Sequence, residues 1–189
     1  MARPRSGDKQ QAILDAALRI CAQRGISGAP TSAISKEAGI AEGSLFTYFK
    51  TKDDLFNELY VTLRREFSRH LQDFPHEKDA RSRLKYIWDR FLDRGAMHPD
   101  QLKVLAQLRA SGRLFKENEA PNFALMELIK IATEATEGDE LRSVPPEYLV
   151  LMIRAQAEIT VEFIGAHPES ADMCRELGFN IVWDGLTGR

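Results

Sequence analysis

Thr31-Ser32-Ala33-Ile34-Ser35-Lys36-Glu37-Ala38-Gly39-Ile40-Ala41-Glu42-Gly43-Ser44-Leu45-Phe46-Thr47-Tyr48-Phe49 decides the fold of this chain. Ile34 and Ala38 stand four apart, one face of a short helix predicted over 31–38. Gly39 follows at the position where a helix commonly ends on a left-handed residue, which glycine adopts without a Cβ clash. A second short helix is predicted from Ala41 or Glu42 to Phe49. Two short helices joined by a tight turn make a helix-turn-helix.

The flanks extend this unit. From Gln10 to Arg24 the residues Ile13, Ala17, Ile20 and Cys21 recur at helical spacing, with Asp15, Arg19 and Gln23 opposite and Gly25 as the stop. Gly28-Ala29-Pro30 reads as a turn. After Phe49, Thr51-Lys52-Asp53-Asp54 sets a hydroxyl three residues before a carboxylate, a variant of the capping box that opens a fourth helix. Leu55, Phe56, Leu59, Tyr60, Leu63, Phe67 and Leu71 keep to one face of that helix, which is predicted to run to Phe74-Pro75.

At about 100° per residue, the predicted 41–49 helix is two-sided. Leu45 and Phe49 point one way, inward. Gly43, Ser44 and Thr47 point the other, with Phe46 and Tyr48 at the seam. A helix that buries one side and offers small, hydrogen-bonding residues on the other suits the major groove of DNA. Its first-turn amides at Glu42-Gly43 suit a phosphate. Charge supports the same end of the molecule. Residues 1–52 hold eight basic and four acidic residues, whereas the rest holds 18 and 24, so the net charge of -2 conceals a basic head on an acidic body.

Gly25-Ile26, the run from Ile34 to Lys52, and Leu55 together resemble the N-terminal signature of the TetR family of transcription regulators, over about residues 10–60. The resemblance implies an all-α fold in which three small helices bind DNA. It further implies that a long fourth helix leads into a larger helical domain that dimerises and binds a small effector. The domains expected are 1–52 for the helix-turn-helix and 53–189 for the effector-binding and dimerisation part. The family's groove-facing and phosphate-facing positions fall on Thr31, Ser32, Glu42, Gly43, Ser44, Phe46, Thr47, Tyr48 and Lys52. The position after the leucine is usually tyrosine in that family and is Phe46 here, which has no hydroxyl to offer a phosphate. By side-chain chemistry, Tyr48 and Lys52, with Thr31 and Ser44, hold phosphates. Thr47 suits a base edge such as a thymine methyl. Glu42 either accepts from a cytosine amino group or simply favours a helix N-terminus by its charge. Arg3 and Arg5 form a short basic arm of the kind that enters a minor groove.

Beyond Pro75 the pattern stays helical. Helices are predicted around Arg83–Leu92, from His98 to Gly112, from Pro121, from Pro146 to Ile164, and from Ser170 to Leu186. Proline at several of these openings fits its tolerance for the first helical turn. No alternating strand pattern is present. The Pro146–Ile164 helix is apolar over well over half its circumference, more than the ~100° stripe that one core requires. The last helix carries one apolar sector at Met173, Leu177 and Ile181 and a second at Phe179, Val182, Trp183 and Leu186. Gly178, costly in a helix interior, suggests a close approach by another backbone. A four-helix interface across a two-fold axis, through Ile153, Ile164, Leu177, Gly178, Ile181 and Trp183, accounts for this surplus. Such a homodimer presents two heads one helical turn apart, ~34–36 Å, to a near-palindromic site. Phe67, Trp88, Phe91, Met97, Leu105, Phe123 and Met126 are the large side chains available to an apolar or aromatic effector, and Arg94, His98 and Arg113 are charges able to meet a carboxylate or phenol.

Composition narrows the remaining classes. With 43% hydrophobic and 29% charged residues the chain has a globular balance. No apolar run approaches the ~18 residues of a membrane span, and the N-terminus has no signal-peptide core. Cys21 and Cys174 lie far apart and read as reduced thiols in a cytoplasmic protein. The four histidines show no metal-type spacing. No nucleophile–base pair, phosphate loop or metal cage is legible, so the expectation is a non-enzymatic, ligand-responsive regulator, most simply a repressor, without cofactor or metal. The alternative is a helical protein-interaction module that makes no contact with DNA, a reading that predicts no salt-dependent duplex binding.

Overall fold

A chain with apolar residues at three- and four-residue spacing throughout must bury stripes of helix against one another. The computed structural model, which describes residues 6–71, 73–112, 123–137 and 145–187, consists of helices joined by turns and short irregular links, with no strand among the described residues. The helices are α1 (Ser6–Arg24), α2 (Thr31–Glu37), α3 (Glu42–Tyr48), α4 (Lys52–Arg69), α5 (Ala80–Met97), α6 (Pro99–Ala110), α7 (Phe123–Glu137), α8 (Pro146–Ala166) and α9 (Ala171–Thr187), with a 3-10 turn at Pro168–Ser170. Arg3, Arg5, Arg113 and Pro121 lie outside the described residues.

Two compact units divide the chain within α4, between Glu66 and Phe67. The first holds α1 to α3, most of α4, and α6. Its core joins Ile13, Ala17, Ile20 and Cys21 of α1 to Ile34, Leu45, Phe49, Leu55, Phe56 and Leu59, and Val104 and Leu108 of α6 pack into it. Lys103 of α6 donates from Nζ to the carbonyl of Ala22 at 2.9 Å, satisfying an orphan carbonyl near the end of α1. Leu105, one of the side chains considered for an effector, packs against this first core. Burial pushes the Cys21 thiol up to about 11, only partly opposed by the Lys52 ammonium.

In the first unit the predicted caps are present. Thr51 and Asp54 exchange bonds: the Asp54 amide donates to Thr51 Oγ1 at 3.0 Å, and the Thr51 amide donates to Asp54 Oδ2 at 3.1 Å. Gly25 and Gly39 both take left-handed φ, +72° and +68°. Helix α4 ends at Arg69, short of the expected Phe74-Pro75. The amides of His70 and Leu71 turn back to the carbonyls of Phe67 and Ser68, and Asp73 adopts φ +63°, which aspartate tolerates. Leu71 and Phe74 stay buried beyond the helix, so the apolar pattern continues where the helix does not.

The second unit holds the end of α4, α5 and α7 to α9. Helix α5 is its spine, packed against α7, α8 and α9. It starts three residues earlier than the hydrophobic pattern suggests, because Asp79 caps it: its carboxylate accepts from the Ser82 amide at 2.8 Å. That bond is the main reason the Asp79 carboxyl lies below its usual range. Buried Arg83 pairs with Glu134 of α7. Arg175 of α9 pairs with Asp93 at 2.6 Å and Asp89 at 3.3 Å, and Lys85 spans Asp89 and Glu176 at 2.8 and 2.9 Å.

Gly178 permits a close approach, though not of a backbone from elsewhere. A Cβ at this position would lie 2.8 Å from Thr160 Oγ1 and 2.8 Å from Cζ2 of Trp88, both in the same unit. Trp88 is fully buried, and its indole N–H donates to the carbonyl of Arg175 at 3.0 Å. Ile153 is likewise buried in this unit's own core, so neither Ile153 nor Gly178 offers a surface to a partner. The physical reason is common to both: α8 and α9 pack against each other and against Trp88, and that contact occupies these positions.

Candidate nucleic-acid interface

Helix α2 follows Pro30, whose extended backbone (φ -70°, ψ 150°) delivers the chain to the first turn. Ile34 and Ser35 face the core. Ser35 satisfies its buried hydroxyl by donating to the carbonyl of Thr31 at 2.8 Å. At the other end the Ile40 amide donates to the carbonyl of Ser35 at 3.0 Å, and that of Gly39 to Lys36 at 3.2 Å. This pairing with a left-handed Gly39 is the Schellman arrangement, and it sets the tight angle from α2 into α3.

Helix α3 is two-sided as its sequence predicts. Leu45 is completely buried and Phe49 nearly so. Phe49 has already left helical geometry, at φ -131° and ψ 113°, yet its ring stays in the core. Gly43, Ser44 and Thr47 are exposed on the opposite side, and no atom lies within 4 Å of where a Gly43 Cβ would be. Ser32 and Glu42 are exposed as well. The two aromatics at the seam part company. Tyr48 is half-buried and packs against the core of this unit, whereas Phe46 remains 44% exposed.

Thr31 and Glu42 meet across the turn: Thr31 Oγ1 donates to Glu42 Oε1 at 2.7 Å. The bond ties the first turn of α2 to the first turn of α3 and engages a hydroxyl that the sequence assigns to phosphate. Nothing in a helical wheel shows this contact, because the residues are 11 apart and belong to different helices. Lys52, half-buried, lies with Nζ 5.1 Å from the centroid of the Phe56 ring, a cation–π contact within α4. Arg19 pairs with Glu37 at 2.7 Å between α1 and α2, an exposed pair of modest worth. The result is a packed, hydrogen-bonded seat for α3 whose exposed side carries Gly43, Ser44, Phe46 and Thr47.

The body residues considered for a ligand fall into distinct settings. Trp88 is part of the second core, and Phe67, Phe91 and Phe123 are half-buried against it. The rings of Phe67 and Phe91 meet edge to face at 5.6 Å, as do those of Phe74 and Phe123 at 5.7 Å. Met97 and Met126 are exposed. Arg94 is buried with Nη1 3.0 Å from Nδ1 of His70, and His98 is exposed. On α9 the two apolar sectors separate as anticipated: Phe179, Val182 and Leu186 are core, and Met173, Leu177 and Ile181 are exposed. Ile164 and Trp183 are half-buried, the Trp183 ring stacked near that of Phe179. Helix α8 exposes Tyr148, Leu151, Met152, Ile159 and Phe163. Among the described residues no helix is long and apolar enough to cross a membrane.

Residues 13–59 match the family model of bacterial regulatory proteins, tetR family. The chain is 28% identical over 138 residues to the fatty acid metabolism regulator protein of Bacillus subtilis (strain 168), an alignment covering 71% of each chain. Its fold is shared with a TetR family transcription regulator from Marinobacter aquaeolei VT8, with a TM-score of 0.81, 22% identity, and 97% of each chain covered. It is also shared with the transcriptional regulator FadR from Bacillus subtilis, solved in complex with stearoyl-CoA, at a TM-score of 0.67 and 18% identity, covering 93% of this chain and 98% of that one. With the two-sided α3 seated on a left-handed glycine turn, these likenesses agree: residues 13–59 form a DNA-binding head of the tetR family type, and the chain shares the helical fold of TetR family transcription regulators.

Proposed function

We propose that this regulator acts as a homodimeric repressor that binds a near-palindromic operator and is released by a small apolar effector. The observation that carries the DNA-binding part is the orientation of α3: Leu45 is fully buried while Gly43, Ser44, Phe46 and Thr47 are exposed. Thr47 and Glu42 face base edges. Ser32, Ser44, Tyr48 and Lys52 position the head on phosphates, and Thr31 acts chiefly by holding Glu42. The exposed apolar faces of α8 and α9 are larger than a solvated monomer needs, and they support pairing through Ile159, Phe163, Leu177 and Ile181, with Ile164 and Trp183 at the margin.

For the effector, the aromatic edge of the second core at Phe67, Phe91 and Phe123 supports an apolar ligand. The likeness to a fatty acid metabolism regulator over a stretch longer than the DNA-binding head favours one that carries an acyl chain. Such a ligand shifts the regulator only by the difference in its affinity for the DNA-competent and DNA-incompetent forms.

Duplex binding and sedimentation test the reading together. The expected result is a dimer at micromolar concentration, with operator affinity that falls steeply with salt and is reduced by a long-chain acyl-CoA. Tyr48→Phe and Lys52→Ala weaken binding to every duplex, whereas Thr47→Ala changes sequence preference. Leu177→Glu with Ile159→Glu yields monomer and loses operator binding. A wild-type monomer, or salt-independent duplex affinity untouched by all three head variants, overturns the proposal.

A further inference from the structure

Phe46 is the one large apolar side chain left exposed among the described residues of the first unit. Every comparable side chain on its helix is turned inward: Leu45 and Phe49 are core, and Tyr48 is half-buried against that core. The ring stands on the open side of α3, one residue from the outward Thr47. Its neighbour one turn back is Gly43, which has no side chain to shield it, and nothing lies within 4 Å of the space a Cβ would fill there. A phenyl ring offers neither donor nor acceptor, so it holds no phosphate and reads no polar base edge. In the major groove the only apolar feature that differs among base pairs is the C5-methyl of thymine. We propose that Phe46 is a specificity residue that packs on the C5-methyl of one thymine in each half-site of the operator. The proposal rests on the reading above that α3 lies in the major groove, and it adds which base is selected and by what contact.

Replacing thymine by uracil removes that methyl and nothing else. The probe is a duplex enriched by the full-length protein from a random-sequence library, with each thymine of a half-site exchanged in turn for uracil and affinity read by fluorescence anisotropy. Wild type is expected to lose roughly fourfold at one thymine, the worth of one buried methyl. In Phe46→Ala the loss at that thymine disappears, while other positions keep their wild-type response. Phe46→Leu retains part of it. Because the ring has no place in the core, Phe46→Ala should melt at the wild-type temperature, which separates lost contact from lost fold. A wild-type protein indifferent to uracil at every thymine, or a uracil penalty that survives unchanged in Phe46→Ala, overturns the inference. Thr47→Ala and Lys52→Ala on the same duplex distinguish the two levels. If they weaken binding while the Phe46 cycle is empty, only the thymine contact is wrong; if they too change nothing, or no duplex is enriched, the groove reading falls with it.

Discussion

Gly178→Ala should destabilise the protein, although alanine is the better helix former. Intrinsic propensity alone favours the change by ~1 kcal/mol. Against it stands space. The new methyl would lie 2.8 Å from Trp88 Cζ2 and 2.8 Å from Thr160 Oγ1. Neither neighbour gives way cheaply. The indole is fully buried and held by its bond to the Arg175 carbonyl, and the Thr160 hydroxyl donates to the Gln156 carbonyl at 2.7 Å. Overpacking of this kind costs about 1–3 kcal/mol, and displacing the threonine forfeits about 1 more. The net is about 2 kcal/mol of destabilisation, a fall of roughly 4–8 °C in Tm for a chain of this size. Thermal unfolding followed by circular dichroism at fixed protein concentration measures it. Gly185→Ala on the same helix, where no atom lies within 4 Å, is the control and should be neutral or gain up to ~1 kcal/mol. Adding Thr160→Ala to Gly178→Ala removes one of the two contacts and should recover part of the loss. A Gly178→Ala protein that melts at or above the wild-type temperature would refute the argument.

Thr51→Ala removes the hydroxyl that accepts from the Asp54 amide and should cost about 1 kcal/mol, read by urea unfolding, with no change in effector response. Cys21, buried and pushed up to about 11, should resist a thiol-specific disulfide reagent at pH 8 in the native protein and react once urea unfolds it. Because its folded value lies above the ordinary 9.0, the unfolded chain loses the proton first as pH rises. The contribution of Cys21 to stability is therefore complete below pH 9 and declines between about 9 and 11, so Cys21→Ala should flatten that limb of the stability–pH curve. Gly43→Ala meets nothing within 4 Å and should leave melting unchanged or slightly raised, yet it should weaken operator binding in anisotropy if the exposed side of α3 enters the groove as proposed.

The reading head was legible from spacing because its determinants are local. A glycine one residue past a short helix, a hydroxyl three residues before Asp54, and Leu45 four before Phe49 each act within a turn or two of chain. Backbone sterics and helical periodicity suffice to predict them. Helix ends in the body were less legible. The apolar rhythm of α4 runs on through Leu71 and Phe74, which are buried whether or not the backbone between them is helical, so periodicity could not mark the stop at Arg69.

Only tertiary structure could assign partners to surfaces. That Thr31 reaches Glu42, that α6 packs on α1 through Val104 and Leu108, and that Trp88 fills the notch at Gly178 are contacts between residues far apart in sequence. One dimension of periodicity says that a face must be covered and is silent on what covers it. Hence the apolar surplus of α8 and α9 was plain in the sequence. Its division into Ile153 and Gly178 facing inward, and Ile159, Leu177 and Ile181 facing outward, waited for the packing of α5 against both helices.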